Sequence, residues 1–162
     1  MDILQRFRPY AYLIIGSLLF SACVSTKPKA VEFEVIPTQF QFAYQEYGPK
    51  IFILKNEDDL KKAMTFLKME APEGLPDLSF YFPQHTVVLL YAGMQRSSGF
   101  MFGAEAVQVK KQSVTITARL LQPASDCMVS AVITYPMQLI AIEHVGGTDF
   151  NLDLVNAIRP CR

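Results

Sequence analysis

Polar and apolar residues alternate from Val31 to Ile36, where Glu32 and Glu34 separate Val31, Phe33 and Val35. The pattern returns from Phe40 to Tyr44, with Phe40, Phe42 and Tyr44 set between Gln41 and Ala43. A period of two sends successive side chains to opposite faces, so both segments predict strands with one wet face. Ile51-Phe52-Ile53-Leu54, between Lys50 and Lys55, predicts a third short strand. The period then changes. Leu60, Ala63, Met64 and Leu67 recur at helical spacing and mark the buried face of an amphipathic helix over about 56–68. Asn56 caps it, Glu57, Asp58 and Asp59 load the positive end of its dipole, and Lys61, Lys62 and Lys68 lie further along. Pro72, Gly74, Pro76 and Pro83 leave Ala71 to Pro83 as loop with at most one turn of structure.

The second half is more regular. Thr86 to Ala92 is a continuous apolar run, Val87-Val88-Leu89-Leu90-Tyr91, which predicts a central strand covered on both faces. Phe100 to Val109 and Ser113 to Leu120 predict a hairpin, the second arm alternating Val114, Ile116, Ala118 and Leu120 with polar neighbours. Ala131 to Tyr135 and Gln138 to His144 predict two further strands, and Asn151 to Ile158 a short closing helix. Six to eight strands with one good helix point to an α+β domain built on a predominantly antiparallel sheet or a small sandwich.

The first residues follow neither period. Arg6 and Arg8 precede an apolar run from about Tyr10 to Phe20 that ends at Ser21-Ala22-Cys23, the basic, apolar and small-residue parts of an export signal. The run is too short to cross a bilayer as a helix. Leu18-Leu19-Phe20-Ser21-Ala22-Cys23 resembles a bacterial lipoprotein signal, with Phe20 where that class usually has leucine. The resemblance implies a diacylglyceryl thioether on Cys23, cleavage before it, and acylation of the new amino terminus with a chain such as palmitate. The alternative is an ordinary signal cut near Ala22, or an uncleaved anchor. Val24, in place of an aspartate, further implies an envelope protein sorted to the outer membrane and facing the periplasm. On this reading 1–22 is the signal, 23–30 is the lipidated end with a flexible tether around Pro28, and 31–162 is one globular domain. Without 1–22 the chain keeps 13 basic and 14 acidic side chains, a balance that argues against a nucleic-acid partner. The membrane would be met through the lipid anchor.

From Phe82 onward, an apolar strand ends at Gly93 and is followed by the turn Gln95-Arg96-Ser97-Ser98-Gly99-Phe100. A hairpin comes next, then Ser130-Ala131-Val132-Ile133-Thr134-Tyr135-Pro136 and a final apolar strand. This order, over about 82–145, resembles the C-terminal domain of the PrcB family of protease complex subunits. In that family a Thr-Gly-Gly-Tyr turn follows a strand ending in glycine, and a Thr-x-Pro-Tyr-like segment precedes the last strand. Here Ser97 stands for the threonine, Ser98 for the first glycine, Gly99 for the second and Phe100 for the tyrosine; only Gly99 is identical. The resemblance implies a non-catalytic lipoprotein that associates with, and supports, a cell-envelope protease or an assembly factor. Arg96, Ser97, Ser98, Gly99 and Phe100 are then the partner-binding candidates. Such a corner can offer amides and hydroxyls to a partner's carboxylate or extended backbone, beside one charged and one apolar side chain. The plainer alternative is that Gly99 only supplies positive φ and Phe100 only fills the core.

With Cys23 committed to lipid, Cys127 and Cys161 remain as an even pair in an oxidising compartment, where a disulfide is the expected state. Neither CxxC spacing nor a third ligand nearby in sequence favours a metal or catalytic role. His85 and His144 are the only histidines, and no GxSxG or HExxH motif surrounds them. Each reads as a solvated or capping residue, and Glu143 is expected on the sheet face opposite to His144. The expectation is a protein without enzymatic activity, cofactor or metal. A second functional class stays open, a small-ligand or envelope-polymer binder with a groove lined by Tyr44, Tyr47, Phe80, Tyr81 and Phe82.

Overall fold

A computed structural model describes residues 27–38, 48–69 and 77–161. In chain order its strands are β1 Lys29–Val31, β2 Phe33–Ile36, β3 Lys50–Leu54, β4 His85–Tyr91, β5 Met101–Lys110, β6 Ser113–Pro123, β7 Met137–Glu143 and β8 Asp149–Arg159. The helix α1, Glu57–Phe66, lies between β3 and β4. The strands form two four-stranded sheets, ordered β1-β5-β6-β8 and β2-β7-β4-β3. All pairs are antiparallel except β6 with β8, which run parallel over Ser113 to Pro123. The architecture is an α+β sandwich in three layers: helix, sheet, sheet. None of the described helices is long and apolar enough to cross a membrane.

The uninterrupted apolar run of β4 is explained by these layers. Val87, Leu89 and Tyr91 face α1, where Leu60, Ala63, Met64 and Leu67 complete one core. Val88 and Leu90 face the other way, against Val114, Ile116 and Ala118 of β6 in the core between the sheets. A strand buried on both faces cannot alternate. In β5 the register shifts between Ala104 and Ala106, so Phe102 and Ala104 before the bulge and Val107 and Val109 after it all pack into the inter-sheet core. The Gln138 side chain of β7 crosses between the sheets and accepts from the Ala104 N–H at 2.7 Å. Asn56 caps α1, its side chain accepting from the Asp59 N–H at 3.0 Å while the Asp59 carboxylate accepts from the Lys55 N–H at 3.2 Å.

Several expectations need correction. Asn151 to Ile158 is not a closing helix but most of β8, because Phe150, Leu152 and Leu154 turn inward together to pack on the inter-sheet core beside β6. It follows that β7, which ends at Glu143 just before His144, is not the last strand. Val31 to Ile36 is not one strand: the chain passes from one sheet to the other at Glu32. Lys29 and Ala30 belong to β1 rather than to the tether, since β5 pairs them with Val109 and Gln108. Ala131 to Tyr135 is not a strand, and only Thr134 bridges, to Gln95. The helix is shorter than 56–68, and Lys68 already has φ of 49°. Cys23, the Phe40–Tyr44 strand, and Tyr44 and Tyr47 of the aromatic groove lie outside the described residues.

Candidate functional site

Beyond β4 the chain turns at Gly93 and runs against the loop that joins β6 to β7. Gln95 and Thr134 exchange both backbone hydrogen bonds, at 2.8 and 2.9 Å. The Ser98 N–H donates to the Ser130 carbonyl at 2.9 Å, and the Ser130 N–H donates back to Ser98 Oγ at 2.9 Å. The Thr134 hydroxyl donates to the Ser97 carbonyl at 3.0 Å, and the Arg159 guanidinium to the Gly99 carbonyl at 3.3 Å. Gly99 has φ of 89°, and a Cβ there would stand 3.0 Å from Val129 Cγ1. A side chain is therefore opposed twice at Gly99, by backbone conformation and by the loop.

Those hydrogen bonds sort the five candidates. The Ser97 carbonyl and the N–H and Oγ of Ser98 fasten the 124–136 loop, while the Gly99 carbonyl accepts from Arg159 at the end of β8. Arg96 is exposed, and Arg96 and Phe100 both line a cavity of about 620 Å³ at the end of the sandwich, shared with Gly93, Gln95, Leu120, Gln122, Leu154 and Asn156. Sequence pattern alone could not assemble that lining, because it draws on the turn, β6 and β8.

The loop beyond has a different character. Cys127 is joined to Cys161 by a disulfide with the Cα atoms 5.4 Å apart, which ties the loop to the end of β8. Between this tie and the Thr134 bridge, Met128 is fully exposed, and Val129, Val132 and Ile133 are 40, 49 and 59% exposed. Met101 of β5 and Ile158 of β8, at the same end of their sheet, are also exposed. Four large apolar side chains are thus exposed on one fastened loop. The sequence pattern did not single these residues out, because Val132 and Ile133 read as strand interior.

The histidines take other places. His85 lies opposite Glu143 in the β4–β7 pair, so the neighbour that Glu143 meets is His85 rather than the adjacent His144. Tyr81 meets the His85 ring edge-on at 5.9 Å and donates to the Glu34 carboxylate at 2.9 Å, a bond that raises the Tyr81 pKa. The cavity there, about 430 Å³, is lined among the described residues by Lys29, Glu32, Glu34, His85, Glu143 and four apolar residues. His144 Nδ1 lies 3.4 Å from Thr86 Oγ1. Asp126, Cys127 and Cys161 gather within 4.8 Å, but both sulfurs are engaged in the disulfide. Of the aromatic groove, Phe80 is 81% exposed, while Tyr81 and Phe82 pack on the helix-side core.

The region that holds these features, from β4 through the turn, hairpin and loop to β7, is also where a known family is found. Residues 86–143 match the PrcB C-terminal family. The PrcB C-terminal match lies within the 82–145 expected from the turn residues, and it contains the whole fastened loop. No curated protein matches the chain. No solved structure matches it either.

Proposed function

We propose that this protein is a non-catalytic envelope lipoprotein whose folded domain binds and stabilises a protein partner, a component of a cell-envelope protease complex. The observation that carries the reading is the apolar loop Met128–Ile133, exposed yet fastened at Cys127, Ser130 and Thr134. A loop held in place loses little conformational freedom on docking, so its apolar area contributes to affinity more fully than that of a mobile segment. The PrcB C-terminal match over the same residues supports the assignment to a protease complex. Cys23 is the proposed lipidation site, and two or more acyl chains there would make attachment effectively stable.

A photo-crosslinking residue placed at Ile133 in cells, compared with one at Lys61 on the exposed side of α1, tests the docking surface. A single stoichiometric partner trapped from Ile133 and not from Lys61 is the expected result. Recovery of an uncrosslinked monomer from both positions would overturn it. Labelling with an alkyne fatty acid, lost in Cys23→Ser, checks the anchor independently.

A further inference from the structure

The cavity beneath the turn has a chemistry that the apolar loop does not account for. It is a broadly open depression, and its volume of about 620 Å³ is in the range of sites that take a small ligand or the end of a chain. Phe100, Leu120 and Leu154 provide apolar walls, and Arg96 carries the only formal charge among the described residues of the lining. We propose that this cavity takes the carboxyl terminus of a partner polypeptide. The last, apolar side chain lies against the walls and the free carboxylate sits on Arg96. The proposal rests on the protein-binding reading above and gives it a recognition chemistry.

Three arguments select this occupant. A lone guanidinium beside apolar walls complements an anionic head on an apolar stem, and the fork of an arginine matches a planar carboxylate. Gln95, Gln122 and Asn156 add three carboxamides to the lining, and the Gln95 amide already donates to the Ala92 carbonyl at 3.3 Å, leaving its oxygen available. A carboxamide both donates and accepts, as a peptide backbone does, whereas a hydrocarbon chain would strip these groups of water and give nothing back. The neighbouring strands then distinguish a chain end from a strand that runs through. Cα atoms of β3 and β8 approach within 8 Å, but an inserted strand would need about 9.5 Å, twice the spacing of paired strands. The ligand enters end-on.

The test uses the full-length protein and a hexapeptide library with four randomised C-terminal positions and a free carboxylate. Amidated copies of the selected peptides and sodium tetradecanoate serve as the other probes. Selected peptides are expected to end in an apolar residue. Amidation and Arg96→Gln are each expected to weaken binding at least tenfold, without adding to one another, and Arg96→Lys to restore part of the loss. Arg96 is exposed, so unchanged circular dichroism and urea midpoint are expected of both variants. Equal binding of free and amidated peptides overturns the proposal. So does a library with no preferred last residue, or tetradecanoate that binds while peptides do not. In any of those events, Ile133 crosslinks that persist in the Arg96→Gln protein leave the protein-binding reading standing, and their loss from the wild type removes it as well.

Discussion

Gly99 and Tyr91 show how much single positions at this end of the molecule are asked to do. Gly99→Ala places a side chain at φ of 89° and 3.0 Å from Val129, so a loss of about 1–3 kcal/mol is expected by urea unfolding. Gly48→Ala meets nothing within 4 Å and serves as the comparison, expected to leave stability within about 0.5 kcal/mol. Tyr91 is fully buried, and burial, with a smaller contribution from the charge of Tyr135, pushes its pKa from 10.0 up to about 12. The folded state thus favours the neutral phenol. Its contribution to stability is complete below pH 10 and is lost as pH rises from 10 towards 12. In alkaline unfolding followed by tyrosinate absorbance, Tyr91→Phe, which has no phenol to ionise at this position, should shift the transition to higher pH than the wild type. The turn itself was half legible. Gly99 could be read as a positive-φ position, whereas the inward use of Ser97 and Ser98 depends on a loop some thirty residues away that local pattern does not bring near.

At the scale of elements, α1 and β4 were legible because one strong signal governed each. Helical spacing and a capping asparagine defined α1, and an unbroken apolar run defined a strand with cores on both sides. Asn56→Ala is expected to cost about 1 kcal/mol of stability, since the Asp59 N–H loses its acceptor. β8 was misread for a physical reason. Phe150, Leu152 and Leu154 keep a period of two, but Leu154, Val155 and Ile158 fit a helix equally well, and the choice is made by eleven positions of register against β6. Exposed Asp153 tests the outcome. In a strand, Asp153→Thr should exceed Asp153→Ala in stability by up to about 1 kcal/mol, while in a helix the order would invert. The apolar residues 128–133 were misassigned by the same ambiguity, because hydrophobicity reports the preference for burial and not whether a partner within the chain supplies it.

Among the described residues, the apolar loop with the most exposed side chains is the one tied by the disulfide. The sandwich supplies two cores that hold β4, β6 and β7 without drawing on the 124–134 loop, so the tie serves that loop and the end of β8 more than the cores. Closing a span of 34 residues restricts the unfolded chain and, in the chain-entropy picture, stabilises the fold by about 3–4 kcal/mol. Cys127→Ser and Cys161→Ser should each lower stability by roughly this amount, and the double variant by no more than either alone, because a single bond is removed in all three. Hydrogen exchange separates the global effect from the local one. On mild reduction, amides near 124–134, including those of Ser130 and Thr134, are expected to exchange faster by a larger factor than those of β4 and β7. Uniform acceleration across both sheets would mean that the bond supports the fold as a whole, and would remove the argument that Met128 to Ile133 is kept ordered for docking.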